Sequence, residues 1–276
     1  MNFDMNTCWS RAVELLQSNF QLLLIVAGVF LLLPTLAFYM LIPDMQMLSD
    51  PTIDQDILAE KMLEMAGPLM AVGLVSTVFQ FAGNAAMVAL MGDARPTVGQ
   101  AIGAGFKSVL SLFGVLLIFV VLIMIGSVAL TVPFALLGAL LATPAVAGLV
   151  VIPVLAFMVW LLARMSMAMP VIVLGAVGNP VTAITQSFAL TKPKQWPIAG
   201  FWTVIYVIMT IASFLFNGAI AVIAAIAGSG TMVTAITGLS NGLTGAISGA
   251  IACAVAVAMY MQVSGPSQSA IEETFE

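Results

Sequence analysis

The sequence predicts an all-α polytopic membrane protein of about six transmembrane helices, and three observations carry that prediction. Of 276 residues, 62% are hydrophobic and 7% charged, and the mean hydropathy is +1.17. No soluble core of this size absorbs so much apolar surface. Several stretches exceed the roughly 20 apolar residues needed to cross a bilayer. With six crossings, Arg11, Arg95, Lys107, Arg164, Lys192 and Lys194 fall on one side and only Lys61 on the other. Positive charge marks the cytoplasmic side, so both termini are expected there.

Met5 to Asn19 sets Trp9, Ala12, Val13, Leu15 and Leu16 against Arg11, Glu14, Gln17 and Ser18, the pattern of a helix lying on a membrane surface. The start lacks a cleavable-signal pattern, so the first span is expected to persist in the mature chain. That span is Phe20 to Ile42, with Pro34 expected to kink it and Pro43 to end it. An acidic loop follows, holding Asp44, Asp50, Asp54, Asp56, Glu60 and Glu64, with a short surface helix expected over Ile57 to Met65. The second span runs from Pro68 to Met91, and a polar turn with a short surface helix, or elbow, occupies Gly92 to Lys107. Val109 to about Leu130 is the third span. From Thr131 to Pro144, either this helix continues through Pro133 or the two prolines bracket a re-entrant turn. Ala145 to about Leu162 is the fourth span, Trp196 to Ala227 holds the fifth and Thr231 to Val263 the sixth; a cytoplasmic tail, 266–276, follows.

Between the fourth and fifth spans, Asn179 to Trp196 has the character of a headgroup-level helix. Asn179-Pro180 is a helix start, and Thr182, Ser187 and Thr191 are expected to keep one side polar. Ala183, Ile184, Phe188 and Leu190 supply the apolar side, and Lys192 and Lys194 lead to a Trp196 anchor. The same element recurs: Ala-Val or Ala-Ile pairs at residues 12, 101, 183 and 270 come at near-equal intervals, the last three after a proline. This predicts three elbow-plus-hairpin units over 5–92, 93–178 and 179–265, within one integral membrane domain.

Chemistry is sparse. Histidine is absent, which removes the commonest general base and metal ligand. Cys8 and Cys253 make no disulfide or metal framework. No in-membrane acid pair, phosphate loop or nucleophile elbow occurs, so no catalytic residue, metal or cofactor is expected, and no basic patch points to nucleic acid. No charge lies squarely mid-span, which counts against ion-coupled transport. Gly238, Gly242, Gly245 and Gly249 share one helix face, which favours close helix packing within the monomer, with a dimer seam or hinge as the alternative. Gln80, Asn84, Asn217, Asn241 and Gln262 are amides near membrane depth. They are expected to bond between helices, or else to line a solute path. Arg164, where a span should end, can snorkel to headgroups, cap carbonyls or pair with an acid such as Asp93. Headgroup or elbow contacts are thus expected from Arg11, Arg164, Lys192, Lys194 and Trp196.

Arg164, Pro170, Gly178, Ala183-Ile184, Ser187, Leu190-Thr191-Lys192 and Trp196 form a series, alongside an amphipathic N-terminal helix with Trp9 and Ala12. In this series the chain resembles bacterial integral membrane proteins typified by the membrane domain of some glycerophosphoryl diester phosphodiesterases. Pro193 departs from the usual glycine after Lys192. The resemblance implies a six-helix membrane module without phosphodiesterase activity, since the hydrolase domain and its histidines are missing. The function expected is a non-catalytic module binding membrane lipids, a protein partner or a second copy of the chain. The alternative is a permease or lipid-translocating subunit with a separate energising partner.

Overall fold

A computed structural model describes residues 3–42, 55–140, 148–226 and 230–264. Among them it is all-helical: 91% helix and no strand. Six helices are long and apolar enough to cross a membrane. In chain order they and their companions are α1 (Met5–Ser18), α2 (Phe20–Leu41), α3 (Gln55–Leu90), α4 (Val98–Leu140), α5 (Val151–Met165), α6 (Ala168–Val173), α7 (Pro180–Thr191), α8 (Gln195–Ile226) and α9 (Thr231–Ser264). The all-helical solution follows from the solvent: in hydrocarbon each backbone N–H and C=O must be bonded within its own segment.

Helix boundaries depart from the sequence expectation in three places. Ile57 to Met65 is no separate surface helix, because α3 begins at Gln55 and runs through Pro68 without interruption. Nor does a separate short helix precede the third span: Val98 to Leu140 is one helix of 43 residues, with Pro133 inside it. Of the two options for Thr131 to Pro144, the described part therefore continues the helix, while 141–147 lie outside the described residues. At Pro34 the chain does not simply kink. Gly28–Leu32 forms a π-helical turn just before it, with the Leu33 N–H bonded to the Gly28 carbonyl. Proline cannot donate to the carbonyl four residues back and its ring crowds that group, so the widened turn absorbs the misfit. The acids Asp44, Asp50 and Asp54, the Ala270-Ile271 pair and the tail lie outside the described residues.

Two compact units form. One comprises Met1–Ala12, Leu110–Tyr206 and Val255–Glu276; the other comprises Val13–Val109 and Val207–Ala254. In the second unit, glycine makes the close approaches. A Cβ on Gly238 would come within 2.9 Å of Tyr39 Cβ, and one on Gly242 within 3.0 Å of the Leu32 carbonyl oxygen. On Gly249 it would lie 2.6 Å from Leu31. Gly83 meets Phe30 and Leu31 from α3. Helices α2, α3 and α9 thus pack through small residues within the unit. Gly245 does not join them: it is exposed, with nothing within 4 Å of a built Cβ. One stripe of glycines therefore divides into three contact positions and one open one.

The amides of α8 and α9 are held within the same unit. Asn217 Nδ2 donates to the Ser213 carbonyl at 2.9 Å and to Thr244 Oγ1 at 3.3 Å, while its Oδ1 accepts from Ser240 Oγ. Asn241 Nδ2 bonds the Thr237 carbonyl of its own helix at 2.9 Å. Asn84 accepts from the buried Cys253 thiol at 3.6 Å. Gln80 is half-buried.

Gly242→Ala is expected to destabilise the fold by about 1–3 kcal/mol through overpacking against backbone. Gly245→Ala should be neutral or stabilise by up to about 1 kcal/mol through helix propensity. Thermal unfolding of both variants in the same detergent checks the pair; equal losses would remove the distinction between the two positions.

Candidate functional site: a buried arginine under the α7 helix

Helix α7 starts where the sequence places it. Asn179 is extended (φ −89°, ψ 120°), and its Oδ1 accepts from the Val181 N–H at 2.9 Å and the Thr182 N–H at 3.4 Å. Pro180 follows at the first helical position, where its missing N–H costs nothing. The start is pinned to α4 within the first unit. Ser111 Oγ donates to the Gly178 carbonyl at 2.5 Å, and Pro180 fills the space that Gly114 leaves open.

The polar side expected for α7 is not the one it has. Thr182 is exposed, but Ser187 and Thr191 are fully buried, on the same face as Ala183 and Ile184. Residues 183, 187 and 191 recur every fourth position and so line up on one face. All three are small enough for close helix approach. One hydroxyl crosses to α5, Ser187 Oγ donating to the Arg164 carbonyl at 2.7 Å, while Thr191 Oγ1 donates within α7 to the Ser187 carbonyl at 2.7 Å. Beneath them lies an apolar cluster of Leu161, Met165 and Ile184, with Phe119, Leu122 and Phe157 against it.

Arg164, in the last turn of α5, is 7% exposed. Its Nη1 donates to Thr191 Oγ1 at 3.0 Å. The guanidinium carbon lies 4.5 Å from the Phe188 ring centroid and 5.9 Å from that of Trp160. Those two rings meet edge to face at 6.1 Å, and Trp160 Nε1 reaches Gln195 Oε1 at 3.4 Å. None of these partners is an acid, so the pairing with a carboxylate such as Asp93 is not the arrangement found among the described residues. Nε is buried with no hydrogen-bond partner.

Magnitudes show that this cation is under-compensated. Burying an ion costs several kcal/mol even after relaxation, and an unpartnered buried donor adds about 1–3 kcal/mol. Against this stand a desolvated cation–π contact of about 2 kcal/mol and one charge-assisted bond of about 1.5–3 kcal/mol. A guanidinium has five N–H donors, and one acceptor for them occurs among the described residues.

The other expected contact residues differ in exposure. Lys192 is exposed and Lys194 half-buried in the single 3₁₀ turn, Lys192–Lys194, that links α7 to α8. Trp196 follows, 70% exposed. Arg11 lies on the exposed side of α1. That helix is capped by Asp4, whose carboxylate accepts from Thr7 Oγ1 at 2.6 Å and the Asn6 N–H at 3.0 Å. These bonds hold its pKa below the usual carboxylate value. The apolar face of α1 is divided. Cys8, Ala12 and Leu15 are buried, while Met5, Trp9 and Phe20 beyond its end stay exposed. Gln262 Nε2 bonds the Asp4 carbonyl at 3.3 Å.

Thr191, Phe188 and Trp160 as partners of Arg164, and Asp4 as a cap, were not anticipated. The small-residue stripe Ala183, Ser187, Thr191 was the available signal for the first of these. No group of acids and cysteines able to hold a metal occurs among the described residues.

What the fold defines is a helical multi-pass membrane protein with a buried, acid-free arginine at one span end. No protein-family model, curated protein or solved structure matches the chain.

Thr191→Val should destabilise the fold by about 1–3 kcal/mol, because it removes the one acceptor of a buried guanidinium. Ser187→Ala should cost about 1 kcal/mol; denaturation in mixed micelles measures both. The Cys8 thiol is pushed up to about 12 by burial and then by the Asp4 charge. Its maleimide labelling at pH 8 should be roughly a thousandfold slower in folded than in unfolded protein, as read by peptide mass spectrometry. The depressed Asp4 pKa means its cap stabilises α1 above the unfolded-state value and is lost as pH falls through the folded value. The protection factors of the amides in the first turn of α1, which correct for the intrinsic pH dependence of exchange, should therefore fall on acidification, and should not in Asp4→Asn.

Proposed function

We propose that this chain is a non-catalytic module of a bacterial cytoplasmic membrane that binds anionic lipid where α7 meets α8. The observation that carries this is the turn between those helices. It presents exposed Lys192, half-buried Lys194 and 70%-exposed Trp196 at the start of a long apolar helix. Cations beside an exposed Trp at the mouth of a span suit the headgroup layer of the cytoplasmic leaflet. The divided face of α1, half docked and half exposed around Trp9, supports a second such contact involving Arg11. Cytoplasmic termini follow from the distribution of Lys and Arg, and kinship with the phosphodiesterase-associated membrane domains is part of the same proposal. Internal bonding of Asn217, Ser240 and Thr244 supports a packed module over a polar solute path.

Replacing Lys192 and Lys194 together with Glu should lower phosphatidylglycerol enrichment around the purified protein several-fold relative to phosphatidylcholine. It should also loosen the topology reported by cysteine accessibility. Unchanged enrichment and topology would rule out the role assigned to this turn.

A further inference from the structure

Within the second unit a second docking has the geometry of the first. A Cβ on Gly105, in the first turns of α4, would press on the carbonyl oxygen of Ala82 in α3. Ser187 meets the carbonyl of Arg164 in the same way, and the two pairs have the same separation in sequence. Gly105 and Ser187 each stand four residues after a fully buried alanine of the recurring Ala-Ile pair, Ala101 and Ala183. The docking is thus built once with Ala82 and once with Arg164. A methyl group suffices for it, so the guanidinium is an addition the packing does not require.

We propose that the unfilled edge of Arg164, Nε–H with Nη2–H, binds an oxyanion of the phosphate class. Three features select that chemistry. Nη1 is held by Thr191, which fixes the plane of the fork and leaves the opposite edge, with its buried Nε–H, without a partner among the described residues. Phe188 and Trp160 occupy ring contacts with the guanidinium, and a ring face leaves in-plane N–H groups free to donate. Two parallel N–H donors match two oxygens of a phosphate, a geometry in which lysine is no substitute for arginine. The source is a phospholipid headgroup or free phosphate. This inference rests on the lipid-facing assignment of the same region, but concerns one stoichiometric site instead of a diffuse cationic turn.

The chain has three arginines, at 11, 95 and 164, so their nitrogen-15 Nε–H resonances can be assigned in wild-type protein in a phosphate-free maltoside micelle. Phosphatidylglycerol, and separately inorganic phosphate, are then titrated in. The Arg164 signal should shift downfield and gain exchange protection. A response to both ligands identifies a general phosphate site, and a response to the lipid alone a headgroup site. No response to either overturns the proposal. Native mass spectrometry should retain one phosphatidylglycerol per chain. Arg164→Ala, the residue of the second docking, should keep the fold and bind roughly ten- to a hundredfold more weakly; Arg164→Lys should not restore binding. Retention unchanged in both variants would overturn the site. The Lys192 and Lys194 variants separate the two assignments. Loss of bulk enrichment with an intact Arg164 response fails only the turn, and the converse fails only the fork.

Discussion

Close approach of helices through small residues is the constraint on which the rest of this structure depends. Lipid offers no hydrophobic reward for bringing two apolar helices together, so contact area and internal hydrogen bonds must do it. Gly238, Gly242 and Gly249 give α9 access to α2, Gly83 gives α3 the same access, and Gly105 brings α4 onto α3. In the other unit Ala183, Ser187 and Thr191 do this for α7, with the two hydroxyls bonded to carbonyls at the contact. Each of these glycines lacks room for a side chain. Gly245, on the same helix, has that room.

Against this economical packing Arg164 stands apart. A span end can be docked with alanine, as Ala82 shows, yet here the protein places a guanidinium under an aromatic lid with one hydroxyl acceptor. Its burial leaves its charge less screened by solvent than that of the exposed Lys192. The two cationic features of this region therefore differ in kind. The 3₁₀ turn carries exposed or half-exposed charge, while the guanidinium is held by Thr191 and two aromatic rings.

Much of the architecture was legible in the sequence because hydropathy sums over many residues. Six apolar segments, the Asn179-Pro180 helix start and the small-residue face of α9 all depend on composition or short-range spacing. Helix continuity was less legible. Pro68 looked like a boundary and Pro133 left two options open, yet both lie inside helices, since neighbouring helices can re-satisfy the groups a proline frees. The site was read in outline only. Arg164 stood out as a charge at a span end, but its acceptor, Thr191, was assigned to an exposed polar side of α7.

By itself the sequence determined the class: an all-helical membrane protein with few charges, because amino-acid solubility alone dictates that outcome. Only the tertiary structure decided which face of α7 is buried, which glycines are contacts, and that Arg164 is enclosed by Trp160, Phe188 and Thr191. Those facts depend on which helix lies against which. Residues 160 and 164 belong to α5 and residues 188 and 191 to α7, and no periodicity within one helix specifies the neighbour its side chains will meet.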